Sequence, residues 1–237
     1  MRFHKNRQEL SFNAYISQQI ARLKCLGKIR TSETYTAALR SFSGFMNDTE
    51  VLFDQLNTDL LAEYEAYLKG RENAPNTISF YMRILKDVYN RAVEDGLTEQ
   101  RHPFKSVYTG VEKTMKRALS LNNIRRIKGL DLSLKPNLDY ARDMFLFCFY
   151  TRGMSFIDMA YLKKKDLQND TLSYRRRKTG QQLFIKWEKC MQEILDKYPI
   201  NETEYILPII TKRHEDYRKQ YVNKLHCVNH LLKKIGK

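Results

Sequence analysis

The sequence predicts a mainly α-helical protein in two parts: a four-helix N-terminal bundle, then an α+β part with a small antiparallel sheet. Three observations carry that expectation. The 237 residues are rich in helix formers and include only 9 Gly and 5 Pro, so little interrupts long helices. Apolar residues recur at helical spacing through both halves. One stretch, TLSYRRRKTGQQLFIKW (171–187), abandons that period for two short β-rich runs around Thr179-Gly180, the pattern of a hairpin.

The first helix places Phe12, Ile16, Ile20 and Leu23 on one stripe and stops at Gly27. A second is capped by Thr31 or Ser32 and carries Tyr35, Leu39, Phe42 and Phe45 or Met46 inward. A third runs from Thr58 to Gly70 with Leu61, Tyr64 and Leu68 buried. The fourth begins at Asn76, behind Pro75, buries Tyr81, Leu85, Val88 and Ala92, and ends at Gly96. Residues 1–96 thus form the first domain. Residues 97–118 lack a period, contain Pro103 and Gly110, and read as a basic linker. The second domain, 119–237, opens with a short helix capped by Ser120. Helices follow over about 138–151 and 156–162, then a turn at Asn169-Asp170, the hairpin, and helices over about 188–198 and 214–235. The last stripes Tyr217, Tyr221, Leu225, Val228, Leu232 and Ile235.

Charge points to a polyanionic partner. The net charge is +15 and the pI about 9.6. Residues 1–105 hold 15 Lys+Arg against 13 Asp+Glu, while residues 106–237 hold 27 against 14. An excess confined to one half favours a nucleic-acid face over a generally solvated surface. On the fourth helix, Ser79, Arg83, Lys86 and Asn90 share the side opposite the apolar stripe, donors suited to a phosphate backbone.

Other classes find little support. Cys25, Cys148, Cys190 and Cys227 are far apart, without a CxxC; three lie in apolar helical stretches, as free thiols of a reducing, cytosolic compartment do. His226-Cys227-His230 lacks partner ligands at metal-site spacing. The basic start, MRFHKNRQEL, is not followed by the apolar core of a signal peptide, and the longest apolar run, Met144 to Tyr150, is too short to span a bilayer.

Three segments carry a resemblance. FYTRGMSFIDMAYLKKKDL (149–167) resembles the first-arginine box of tyrosine recombinases of the phage-integrase family, particularly Bacteroides-type integrases. There an arginine ends a buried helix, an acidic residue follows on a short helix, and L-x-x-x-D-L leads into the sheet. The counterparts are Arg152, Asp158 and the run Leu162 to Leu167; the acid commonly stands three residues after the arginine, and Asp158 stands six after. RRRKTGQQ places Lys178 where the family has its hairpin lysine. NTISFYMRILKDVYNRAVEDGL (76–97) and ALRSF (38–42) are similar to helices of the family's core-binding, SAM-like domain.

The resemblance implies a core-binding bundle and a recombinase catalytic domain that grip duplex DNA from opposite sides, with copies assembling on DNA. It implies no metal, organic cofactor, membrane or small-molecule substrate. In the family a tyrosine attacks the scissile phosphate and forms a phosphotyrosine intermediate. Arg152 is then a clamp on the phosphate oxygens, Lys178 the general acid for the leaving 5′-oxygen, and Asp158 a buttress. Arg175, Arg176 and Arg177 supply further DNA contacts, split by strand alternation into Arg175 with Arg177 and Arg176 with Lys178. The family next requires a His-x-x-Arg box and the tyrosine. After Lys178, His214 is followed by Arg218 at the wrong spacing and His226 by Asn229, so the chain is expected to stop inside the catalytic domain and to bind DNA without cutting it. The alternatives are a regulatory or architectural DNA-binding protein and, less favoured because the aromatics fall on buried stripes, an RNA-binding protein.

Overall fold

The computed structural model describes residues 10–115 and 118–236. The chain divides into two compact units, 1–116 and 117–237, each with its own apolar core.

In the first unit, α1 (Phe12–Cys25) packs against α2 (Ile29–Phe45), followed by α3 (Thr58–Gly70) and α4 (Pro75–Glu94). Ser11 caps α1 by accepting from the Ala14 N–H at 3.0 Å, and Asn57 caps α3 through the Leu60 N–H at 2.9 Å. Pro75 occupies the first turn of α4, where its missing N–H costs nothing. The core is a set of edge-to-face rings: Phe12 lies 5.9 Å from Phe42 and 5.7 Å from Phe53, and Phe42 lies 5.2 Å from Tyr64. Two expectations shift. Helix α2 starts at Ile29, so Ser32 is inside it, buried, with its hydroxyl bonded back to the Ile29 carbonyl at 2.7 Å. On α4, Tyr81 is only half-buried, and Ile78, Met82 and Tyr89 join Leu85, Val88 and Ala92 in the core.

The segment read as a linker is largely built into this unit. Tyr89 Oη donates to the Glu99 carbonyl (2.8 Å) and accepts from the Arg101 N–H. Phe104 and Val107 enter the core. Asn76 pairs with Glu112 through both backbone groups, at 2.9 and 3.1 Å. Glycine and proline mark a break in helical period, but they do not say whether the backbone beyond is satisfied by water or by tyrosine and asparagine side chains.

The second unit begins with α5 (Leu121–Lys128), capped by Ser120, and α6 (Pro136–Tyr150), followed by α7 (Phe156–Ala160). A three-stranded antiparallel sheet of order β1-β2-β3 follows: β1 (Leu167–Gln168), β2 (Thr171–Arg175) and β3 (Gln182–Lys186). Strand β1 adds to the expected hairpin; two residues are too few for an alternation to show. It turns into β2 at Asn169 and Asp170, both left-handed (φ +48° and +54°). Leu172, Tyr174 and Ile185 face the core, and Ser173 and Phe184 pair on the outer face. Helix α8 (Lys189–Asp196) and α9 (Tyr217–Ile235) complete the unit. Of the stripe expected on α9 only Val228 is buried; the others are half-buried. Asn201 pins the loop between them, its amide donating to the Leu207 and Ile210 carbonyls at 2.9 Å each.

Cys25 and Cys227 are exposed, not core residues as their helical context suggested; Cys148 and Cys190 are half-buried, and burial raises the Cys148 thiol pKa. Among the described residues no helix is long and apolar enough to cross a membrane, and no group of three or more His, Cys, Asp or Glu side chains could hold a metal ion.

Candidate nucleic-acid interface

Arg152 occupies an unusual backbone position. Helix α6 ends at Tyr150 with Thr151 as its C-cap; the Arg152 N–H then donates to the Phe149 carbonyl (3.0 Å) and the Gly153 N–H to the Cys148 carbonyl (2.8 Å). This pair closes a Schellman motif whose left-handed residue is usually glycine. Here it is Arg152, at φ +58°. A side chain in that region costs on the order of 1 kcal/mol or more relative to glycine. The residue is exposed, and its guanidinium makes no ion pair with a described carboxylate. Its strain therefore gains nothing visible within the fold.

Asp158 joins this segment to the hairpin. The chain runs from Arg152 through Ser155, the N-cap of α7, to Asp158 on its first turn. The Asp158 carboxylate is 3% exposed. One oxygen accepts from Ser155 Oγ at 2.6 Å, the other from the Arg177 N–H at 3.0 Å. A buried carboxylate with no cation on it is held by such donors. The pattern Ser155-x-x-Asp158 is a capping signature that sequence alone displays; the carboxylate's second donor, the Arg177 N–H, lies 19 residues away and leaves no local signal.

The hairpin tip is closed by the Arg176 N–H to the Gln181 carbonyl and the Gly180 N–H to the Arg176 carbonyl, both 2.8 Å. Gly180 has φ +71° with open space where a Cβ would sit, so backbone conformation is what selects glycine there. Strand β2 ends at Arg175, and Arg177, Lys178 and Thr179 form the turn. The expected strand alternation of Arg175 to Lys178 thus does not hold: Arg176 is half-buried and the other three are exposed. The Arg177 guanidinium lies over the Tyr161 ring, 4.3 Å from its centroid, and Arg175 Nη1 reaches the Gly180 carbonyl at 2.7 Å. Lys178 projects next to this anchored residue, tied through Asp158 to the segment that carries Arg152. Tyr217 and Tyr221 pack against other rings, Tyr217 on Tyr205 and Tyr221 on Phe156 and Tyr161.

The polar row on α4 divides. Arg83 and Lys86 are exposed, with no described carboxylate in ion-pair range. Ser79 is not part of a solvent face: it is fully buried, its hydroxyl donating to the Gly110 carbonyl. Asn90 is half-buried and accepts from Gln100 at 3.2 Å. Both are used to lay residues 99–112 along the helix.

Residues 11–108 match the family described as the phage integrase SAM-like domain. Over 97% of its length the chain is similar to 68% of a lambda integrase chain solved as a tetramer bound to a Holliday junction (TM-score 0.68, 15% identity). A dimer of lambda integrase residues 75–356 bound to a COC′ core site is similar over 92% of this chain and 82% of that one (TM-score 0.64, 16% identity). No curated protein sequence matches the chain. The likeness to tyrosine recombinases read from the sequence holds at the level of fold, and directly in sequence for the first unit.

Proposed function

We propose that this integrase-fold chain is a DNA-binding site-specific recombinase unit that takes duplex DNA; the lambda integrases it resembles are described as bound to a Holliday junction and to a COC′ core site. The observation that carries the reading is Arg152. An exposed arginine with no ion-pair partner among the described residues, held in a glycine's conformation, is retained at a cost to stability, and a permanently charged, planar donor set is what a phosphate requires. Lys178 is the second contributor. Its neighbour Arg177 is fastened by a backbone bond and a ring contact, so the lysine extends from a fixed tip. Asp158 acts through Arg177, not on the DNA. Arg175, Arg177, Arg83 and Lys86 contact phosphates.

In this reading Arg152 neutralises charge on the non-bridging oxygens, and Lys178 stands where it would protonate the leaving 5′-oxygen if a tyrosine nucleophile, which these residues do not supply, formed its bond to the phosphorus. On the same reading the chain binds DNA in more than one copy and, because the 237 residues hold no His-x-x-Arg after Lys178, does not form the phosphotyrosine link. A nicked suicide duplex incubated with the chain tests this: the expectation is a retarded complex that dissociates in detergent. A covalent adduct stable in detergent would overturn the non-cutting part, and no complex at low salt would overturn the DNA reading.

A further inference from the structure

The outer face of the sheet carries one exposed ring, Phe184, that duplex binding leaves unused, although Arg175 and Arg177, which line a cleft with it, also serve the duplex reading. A cleft of about 660 Å³ lies between this face and the α7–β1 segment, lined among others by Tyr161, Lys165, Ser173, Arg175, Arg177 and Phe184. That volume is within the range of about 300–1,000 Å³ found for ligand clefts. Phe184 is 67% exposed, although it stands mid-strand and is paired with Ser173. The residues beside it on this face are polar: Gln182 is bonded to Ser173 Oγ at 2.8 Å.

Three cations line the same cleft as the ring. Arg175 is steered by the Gly180 carbonyl, Arg177 lies over the Tyr161 ring, and Lys165 is exposed. No described carboxylate pairs with any of the three. The two acids that also line the cleft are already occupied: Asp158 accepts from Ser155 and Arg177, and Asp166 accepts from the Lys163 N–H at 2.8 Å.

We propose that this face binds single-stranded DNA, with Phe184 as the stacking platform for an unpaired base and Arg175, Arg177 and Lys165 as contacts to the flanking phosphates. A flat aromatic ring beside cations is the general device for single strands, because every base offers a π-face and every linkage a charge. Duplex does not satisfy it: paired bases are stacked on one another and cannot lie on Phe184. A second copy of the chain fits less well, since one ring among Ser, Thr and Gln side chains lacks the apolar centre of a stable interface.

The test uses the whole chain and the F184W variant, whose added indole reports stacking. Titration with short single-stranded oligo-dT should quench the added emission saturably. F184A should weaken oligo-dT binding by at least about 5-fold, the effect of removing one stacked base, while F184Y retains it and duplex affinity changes less than about 2-fold. Absence of quenching, or an equal loss for oligo-dT and duplex in F184A, overturns the inference. So does self-association that F184A abolishes without any quenching by oligo-dT. Quenching retained with no duplex binding would instead defeat the duplex reading alone.

Discussion

At the residue scale, Arg152 and Asp158 separate stability from function in opposite directions. Replacing Arg152 with glycine relieves the left-handed strain, so R152G should be more stable than the parent by about 1 kcal/mol while binding duplex DNA less tightly; R152K tests geometry, since a lysine keeps the charge without the fork. Paired denaturant melts and duplex titrations check both, and a glycine variant that loses stability would remove the argument from strain. D158A should cost about 1–3 kcal/mol, because the Arg177 N–H loses its acceptor, and hydrogen exchange at residues 176–181 should accelerate selectively. Exchange unchanged there would mean that the hairpin is held without Asp158. At alkaline pH, Tyr35 is the informative group: burial and the hydrogen bond to Asp87 push its phenol up to about 12. Its folded pKa lies above the usual phenol value near 10, so this part of the stability is present below pH 10 and is lost as pH rises from 10 towards 12. Y35F should flatten the decline of the melting temperature across that window.

At the element scale, what could be read in the sequence was what depends on local pattern. The stripes of α1 and α3 hold because i, i+3 and i+4 spacing reports a buried face directly, and Ser120 caps its helix as its side chain dictates. Arg152, Asp158 and Lys178 could be picked out only through a resemblance. What was illegible depends on partners far along the chain: the burial of Ser79 follows from Gly110, the ordering of 99–112 from Asn76 and Tyr89, and the hairpin anchor from Tyr161 and Asp158. The α9 stripe, read as an ordinary buried face, is mostly half-buried; periodicity shows which side is apolar and not how completely it is covered. One consequence belongs to α4. Because Asn76 satisfies both backbone groups of Glu112, N76A should raise proteolytic susceptibility around residues 107–115 while the helix itself persists in circular dichroism. Cleavage unchanged there would mean that the segment is held by Phe104 and Val107 alone.

At the scale of the whole molecule, two cores and one uneven charge distribution decide behaviour. The two apolar clusters share no residue, so F42A, which removes a fully buried ring, should destabilise the first unit by about 3–5 kcal/mol and leave the melting of the second in place. The charge excess belongs to residues 106–237, with 27 Lys+Arg against 14 Asp+Glu, and there Arg152, Lys178 and the hairpin arginines lie. An electrostatic interface of that kind has a diagnostic response to salt. The affinity for duplex DNA should be measured by anisotropy across a series of salt concentrations. If about 6 phosphates are neutralised, log K falls against log salt with a slope near −5, and becomes shallower by about one unit for each of Arg152→Ala and Lys178→Ala. A slope near zero, or one that neither substitution alters, would contradict the account.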